Sequence, residues 1–264
     1  MSKSTENSLC GSIETFAGKR NGPRLNRARD FFFVAARENA RCALVVGREY
    51  RDDWQVRDDD EAPASIRVLA RADQSFLPLL GDGPAERLEH FRKGFLRVVH
   101  RTQRDLQTDA TSHSGQTPAL TLTLAYMDGL RLYVGHVGND RGYLFRGDTL
   151  HRLTTDQSLA PPPPDRPLVS DPLFSRKPTS VVGGFSDDLE TEMCAMDLQP
   201  EDIVFLCTSG VSNVVPEDTI AKVLRAARID RSTSLEVFVD AIFRAVADRQ
   251  GKSDSAIAVA RLAA

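Results

Sequence analysis

Between residues 119 and 148 the chain switches to a period of two. In Ala119-Leu120-Thr121-Leu122-Thr123-Leu124-Ala125, leucines alternate with small polar residues. Successive side chains of a strand point to opposite faces, so the three leucines share one face and that face needs a core. Asp128-Gly129 is a tight-hairpin dipeptide. Leu130 to Val134 reads as the return strand, Gly142 to Phe145 as a third, and Arg146-Gly147-Asp148 turns the chain again. Strands joined by turns this short are antiparallel, because a parallel crossover needs a dozen residues or more.

The flanking sequence supplies the layers that can cover such a sheet. Residues 63–80 and 84–104 read as two helices, separated by Gly81-Asp82-Gly83-Pro84. In the second, Leu88, Phe91, Phe95 and Val98/Val99 recur at spacings of three and four, which predicts one apolar stripe. A second helix pair is predicted over 217–227 and 233–248, the latter with Leu235, Phe238/Val239, Ile242 and Ala245/Val246 on one face. Short strands are predicted over 31–35 and 43–46, joined by a hairpin turn at Arg37-Glu38-Asn39-Ala40. Others are predicted near 190–196, 203–207 and 256–260. Residues 107–117 and the prolines at 161–164 read as loops, and residues 51–62 as an acidic and basic loop around Trp54. This order argues for an α+β fold, one domain over 20–262 preceded by an N-terminal tail over 1–19.

Charge and cysteine usage narrow the functional classes. The net charge is −3, so no overall basic excess argues for a nucleic-acid partner. No apolar stretch approaches the ~20 residues that span a bilayer, which predicts no membrane association. The N-terminus has no signal-peptide core. Cys10, Cys42, Cys194 and Cys207 show no CxxC spacing, so zinc is not expected and reduced thiols are. A cytoplasmic protein is the expectation.

Several motifs resemble those of the PPM (PP2C-type) metal-dependent serine/threonine phosphatases. Residues 130–158, LRLYVGHVGNDRGYLFRGDTLHRLTTDQS, are similar to that family's central Gly-Asp-Ser-Arg block. DIVFLCTSGVSNVV, 202–215, resembles its Ser-Asp-Gly strand exit, and GKSDSAIAVARL, 251–262, its closing Asp-Asn strand. RARDFFFV, 27–34, and ALVVGREY, 43–50, sit where the early acids and the Asp-Gly motif belong. The resemblance implies an αββα sandwich, two antiparallel sheets face to face with a helix pair on each outer side.

It also implies a two-metal site, because hard Mg²⁺ or Mn²⁺ ions are held by carboxylate oxygens and activate water for phosphomonoester hydrolysis. Position by position, this chain lacks most of those acids. Asp30 and Asp254 match metal-binding positions. The bridging acid falls at Gly47 or Arg48, and Ser209 stands where another acid belongs. Ser209 therefore reads as a vacated metal position rather than a nucleophile. Glu49, Asp52 and Asp53 are the acids close enough in sequence to substitute.

The remaining candidates read as structural: Asp140 in a turn between strands, His136 in the core, Asp156 capping a turn. Arg24 or Arg27 is the candidate phosphate-binding arginine. The expectation is a catalytically impaired phosphatase-like protein with a phosphoprotein or regulatory partner and no cofactor. The alternative is an active, divergent Mg²⁺- or Mn²⁺-dependent serine/threonine phosphatase.

Overall fold

The structure, a computed structural model, describes residues 5–10, 13–20, 29–37, 41–50, 84–112, 119–158, 178–184, 189–251 and 253–263. The period-two block folds as β5 (Ala119–Asp128), β6 (Arg131–Val137) and β7 (Arg141–Arg146). Gly129 and Gly147 take φ near +59° in the tight turns after β5 and β7, a region that glycine enters without steric cost.

Two six-stranded arrays result. The first runs β1 (Thr5–Cys10), β2 (Ile13–Arg20), β12 (Ser255–Leu262), β11 (Ile203–Cys207), β7 and β8 (Thr149–Arg152). The second runs β10 (Glu192–Asp197), β6, β5, β4 (Arg41–Tyr50) and β3 (Arg29–Arg37), and the short β9 (Val182–Gly183) pairs with β5. Every strand pair is antiparallel.

Three apolar clusters fix the layering. Leu44, Val46, Val134, Leu144, Leu206 and Ala258 meet between the sheets. α1 (Pro84–Ser112) lays Phe91, Phe95, Val98, Val99 and Leu106 against Val45 and the β5 leucines on the outer face of the second sheet. α3 (Glu217–Ile229) and α4 (Leu235–Asp248) cover the outer face of the first with Ile220, Leu224, Leu235, Val239 and Ile242. The expected α+β sandwich of two face-to-face antiparallel sheets between helices is what forms.

Particular expectations change. Ile13–Arg20, most of it within the expected tail, is a strand: β2 pairs with β12 from Ile13↔Leu262 to Arg20↔Ser255, and Ile13, Phe16 and Ala17 are buried. Its alternation is broken by Gly18 and ends in charges, which hid it. α1 continues through Ser112, into the predicted 107–117 loop. The extra turns bury Leu106, and the Thr108 hydroxyl donates to the Arg104 carbonyl one turn back. Leu88 lies off the stripe and is exposed.

β5 has two buried faces rather than one. Its leucines meet α1, while Thr121 and Thr123 point between the sheets and use their hydroxyls there. The predicted helix over 63–80, the loop at 51–62, the prolines at 161–164 and residues 38–40 of the predicted turn lie outside the described residues. Among the described residues no helix is long and apolar enough to cross a membrane.

Candidate active site

Antiparallel pairing sets Asp30 of β3 directly opposite Arg48 of β4. Val34, Leu44 and Val46 lie in the core between the sheets. By strand alternation Asp30 and Arg48 face the same space, at the end of the sandwich. The Arg48 fork closes on Asp30, Nε to Oδ1 at 2.5 Å and Nη2 to Oδ2 at 3.0 Å. Nη2 also donates to the backbone carbonyl of Asp254 at 2.8 Å. This arginine therefore ties β3 and β4 of one sheet to the start of β12 in the other. A forked, charge-assisted contact is the strongest form a protein ion pair takes.

Two further motifs arrive at the same place. β11 ends at Cys207 and the chain turns through Thr208 into a single helical turn, α2 (Ser209–Ser212). The Thr208 hydroxyl donates to Asp30 Oδ2 and accepts from the Ala256 backbone N–H. Gly210 is required next: an added Cβ would lie 1.9 Å from the Asp254 carbonyl oxygen and 2.8 Å from Arg48 Nη2. Ser209 is buried, and its backbone N–H donates to Asp140 Oδ1 at 2.9 Å.

Asp140 Oδ2 accepts from the Thr121 hydroxyl at 2.5 Å. Burial pushes the Asp140 carboxyl up to about 7, against the lowering effect of these bonds. Burial likewise pushes Asp30 up while Arg48 pulls it back. Arg48 holds its proton more firmly than a free arginine, because Asp30 outweighs the burial that opposes its charge.

The structure thus brings Asp30, Arg48, Ser209 and Asp254 together, as the motif positions imply, and adds Asp140, Thr121, Thr208 and Tyr50. Of the two residues at which the resemblance puts the bridging acid, Arg48 is the one whose side chain enters this cluster, opposite Asp30. Gly47 has no room for a side chain, since any Cβ there would lie 2.3 Å from the Phe31 ring and 2.4 Å from the Thr121 carbonyl. Glu49 lies on the other face of β4. It alternates with Arg48 and shares the face of Val45, which packs toward α1. Asp52, Asp53, Arg24, Arg27 and Trp54 lie outside the described residues.

These residues do not fit a metal pair. Both Asp30 oxygens are engaged by Arg48, the Asp254 carbonyl is taken by the same guanidinium, and Asp254 Oδ2 lies 3.7 Å from Lys19 Nζ. Among the described residues no three His, Cys, Asp or Glu side chains form a metal-holding group.

The candidates read as structural divide. Asp140 anchors Thr121 of β5 and Ser209 after β11, as a turn-fixing acid does. Asp156 is not a turn cap. It is the forked partner of Arg141, at 2.9 and 2.6 Å, which joins the GNDR and TTDQS motifs. Thr208 and Tyr50 carried no signal beyond their positions beside motifs. Thr121 did, as a polar residue held at period two. Cys42 and Cys207 are buried and Cys194 is half-buried, and none of the three is in a disulfide.

His136 is fully buried and satisfied. Its Nε2 faces the carbonyls of Gly138 and Thr155 at 2.9 and 3.1 Å, so the proton sits there and Nδ1 accepts from Thr123 at 2.8 Å. Burial pushes its pKa down. A histidine depressed in the folded state is protonated first in the unfolded chain. Its contribution is complete above the unfolded value, near 6.5, and is lost as pH falls below that. Urea unfolding at pH 7.5 and 5.5 should show a loss on acidification that is smaller in His136→Gln, whose amide keeps one donor and one acceptor. Equal losses in both proteins contradict this reading.

No family model matches the chain. A stretch of 123 residues, 45% of the chain, is 28% identical to the serine/threonine phosphatase stp of Listeria welshimeri, and the same figures hold for that of Listeria monocytogenes. The chain spans about half the length of these curated relatives, 48%. Solved structures match over nearly the whole chain. The serine/threonine phosphatase Stp1 from Staphylococcus aureus superposes with a TM-score of 0.74 at 14% identity, covering 97% of each chain. That of S. agalactiae gives 0.73 at 15%, over 95% of this chain and 99% of the other. The catalytic domain of PstP, solved with two manganese ions, gives 0.69 at 17%, over 96% and 99%.

The chain has the fold of the PPM (PP2C-type) phosphatases. Over just under half its length it is also related in sequence to bacterial serine/threonine phosphatases.

Proposed function

We propose that this chain is a catalytically impaired relative of the PPM phosphatases, acting by binding a phosphoprotein or regulatory partner rather than by hydrolysing phosphomonoesters. One observation carries the reading: a permanent cation, Arg48, occupies the register position opposite Asp30 where the resemblance calls for a metal-bridging carboxylate. A divalent ion about 4 Å from that guanidinium meets a repulsion of about 8 kcal/mol at an effective dielectric of 20. Recruiting Asp30 to metal instead means breaking a buried ion pair. Ser209 presents a neutral hydroxyl, and Asp254 is the single matching acid outside the Arg48 pair.

The test is calorimetric titration with Mn²⁺, followed by assays on p-nitrophenyl phosphate and a phosphothreonine peptide. The expected result is no saturable binding at micromolar Mn²⁺ and no turnover above buffer. An active enzyme needs Asp52 or Asp53 to supply the missing oxygens. In that case Mn²⁺ binds saturably and Asp254→Ala abolishes turnover, which would falsify the proposal.

A further inference from the structure

The outward face of α1 carries a charge pattern that the helix itself does not reward. Between His90 and Arg104 the sequence holds five cations, Arg92, Lys93, Arg97, Arg101 and Arg104, and no acid. All five side chains are exposed, with His100 among them. Lys93, Arg97, Arg101 and Arg104 recur at the three- and four-residue spacings of one helical stripe, about 16 Å long at 1.5 Å per residue, with Arg92 at its flank. The chain as a whole is at −3, so this stripe is a local reversal of sign.

Helix energetics give no internal reason for it. Like charges at i,i+4, as in Lys93/Arg97 and Arg97/Arg101, each cost a few tenths of a kcal/mol. Cations are favoured in a helix's last turn, yet α1 has none there. A solvated face ordinarily interleaves the two signs. Here one such pair is present, Lys93 with Glu89 at 3.6 Å, and among the described residues Arg92, Arg97, Arg101 and Arg104 have no acidic partner. The opposite face is already committed to the core through Phe91, Phe95, Val98, Val99 and Leu106.

We infer that this stripe is a docking surface for an Asp/Glu-rich segment of a partner protein. Four of its five cations are arginines, whose planar forks pair two-to-two with carboxylates. An interfacial membrane helix needs an apolar face turned to lipid, and α1 spends its apolar face on the sheet. A long nucleic-acid polyanion would extend beyond the stripe onto a molecule of net negative charge. A short acidic segment fits the length and sign without either conflict. The stripe lies on the outer side of the second sheet, so the inference stands or falls independently of the site between the sheets.

The test is fluorescence anisotropy with a labelled ten-residue Asp/Glu peptide and its Asn/Gln counterpart, on the full chain. The acidic peptide should bind, and binding should weaken as salt rises from 50 to 300 mM. Arg97→Gln/Arg101→Gln/Arg104→Gln should weaken it by about tenfold or more, on the scale of exposed ion pairs. Glutamine is a good helix former, so the fold and circular dichroism should be retained. Binding that is salt-insensitive, absent, or unchanged in the triple variant overturns the inference. So does tighter binding to vesicles with one-third phosphatidylserine, or to a DNA duplex, than to the peptide.

Discussion

Arg48→Ala is expected to lower the unfolding free energy by about 3–5 kcal/mol, the cost of removing one partner from a buried ion pair. For a chain of this size that corresponds to a fall in Tm of about 10 °C. The loss has two parts. The Asp254 carbonyl loses the donor that ties the start of β12 to β4. The larger part is Asp30, left in a closed space with the Thr208 hydroxyl but no countercharge.

Burial already pushes Asp30 upward, and Arg48 is what opposes this. Without the guanidinium the folded-state pKa climbs further above the unfolded value. A carboxyl raised in this way binds its proton more tightly folded than unfolded, so stability is greatest at low pH and is lost as pH rises through the folded value. The deficit of Arg48→Ala should therefore shrink between pH 7.5 and pH 5. Arg48→Met with Asp30→Leu should recover most of it, because removing both charges also removes both desolvation penalties. Urea unfolding of the three proteins at the two pH values measures each term. A loss below 1 kcal/mol, or a double variant no better than the single one, would show that the pair is not holding the strands together.

Part of this arrangement is legible in the chain alone and part is not, for physical reasons. The β5–β7 hairpins are legible because their period of two and their Asp-Gly and Arg-Gly-Asp turns are local. The stripes of α1 and α4 are legible for the same reason, as 3.6-residue periodicity. Asp30, Arg48, Ser209 and Asp254 could be placed because they sit inside motifs whose register strands enforce. What they do to each other could not be read, since it depends on contacts such as Arg48–Asp254, 206 residues apart. Glu49 shows the limit plainly. In sequence it is one step from Arg48, and in a strand one step is the opposite face. β2 escaped notice because its burial comes from eight pairings with β12, at the far end of the chain. The extension of α1 through polar residues was hidden likewise, its reward being the burial of Leu106 in the core.

Restoring the missing acids should reverse the electrostatics of the site. Arg48→Asp with Ser209→Asp places a carboxylate opposite Asp30 and a second one beside Asp140 and Asp254, the positions the resemblance assigns to metal binding. Without metal this clusters up to five carboxyls in a buried space, and the apo double variant should be less stable than the native chain. With Mn²⁺ the same charges become ligands, and binding to the folded state alone raises stability by about 2.7 kcal/mol at a hundredfold excess over Kd. The expected signature is a Tm that rises with Mn²⁺ concentration in the double variant and stays flat in the native protein. Saturable calorimetric binding should accompany it, at least about a hundredfold tighter than the native chain shows. Arg48→Met with Ser209→Asp separates the two contributions: it removes the repelling cation without adding the bridging oxygen, and its affinity should fall between the two. Folding only in the presence of Mn²⁺ counts in favour, since it is the same linkage at a lower starting stability. If the double variant gains neither stability nor binding from Mn²⁺, Arg48 does not stand at the bridging position, and the case for an impaired metal site loses its foundation.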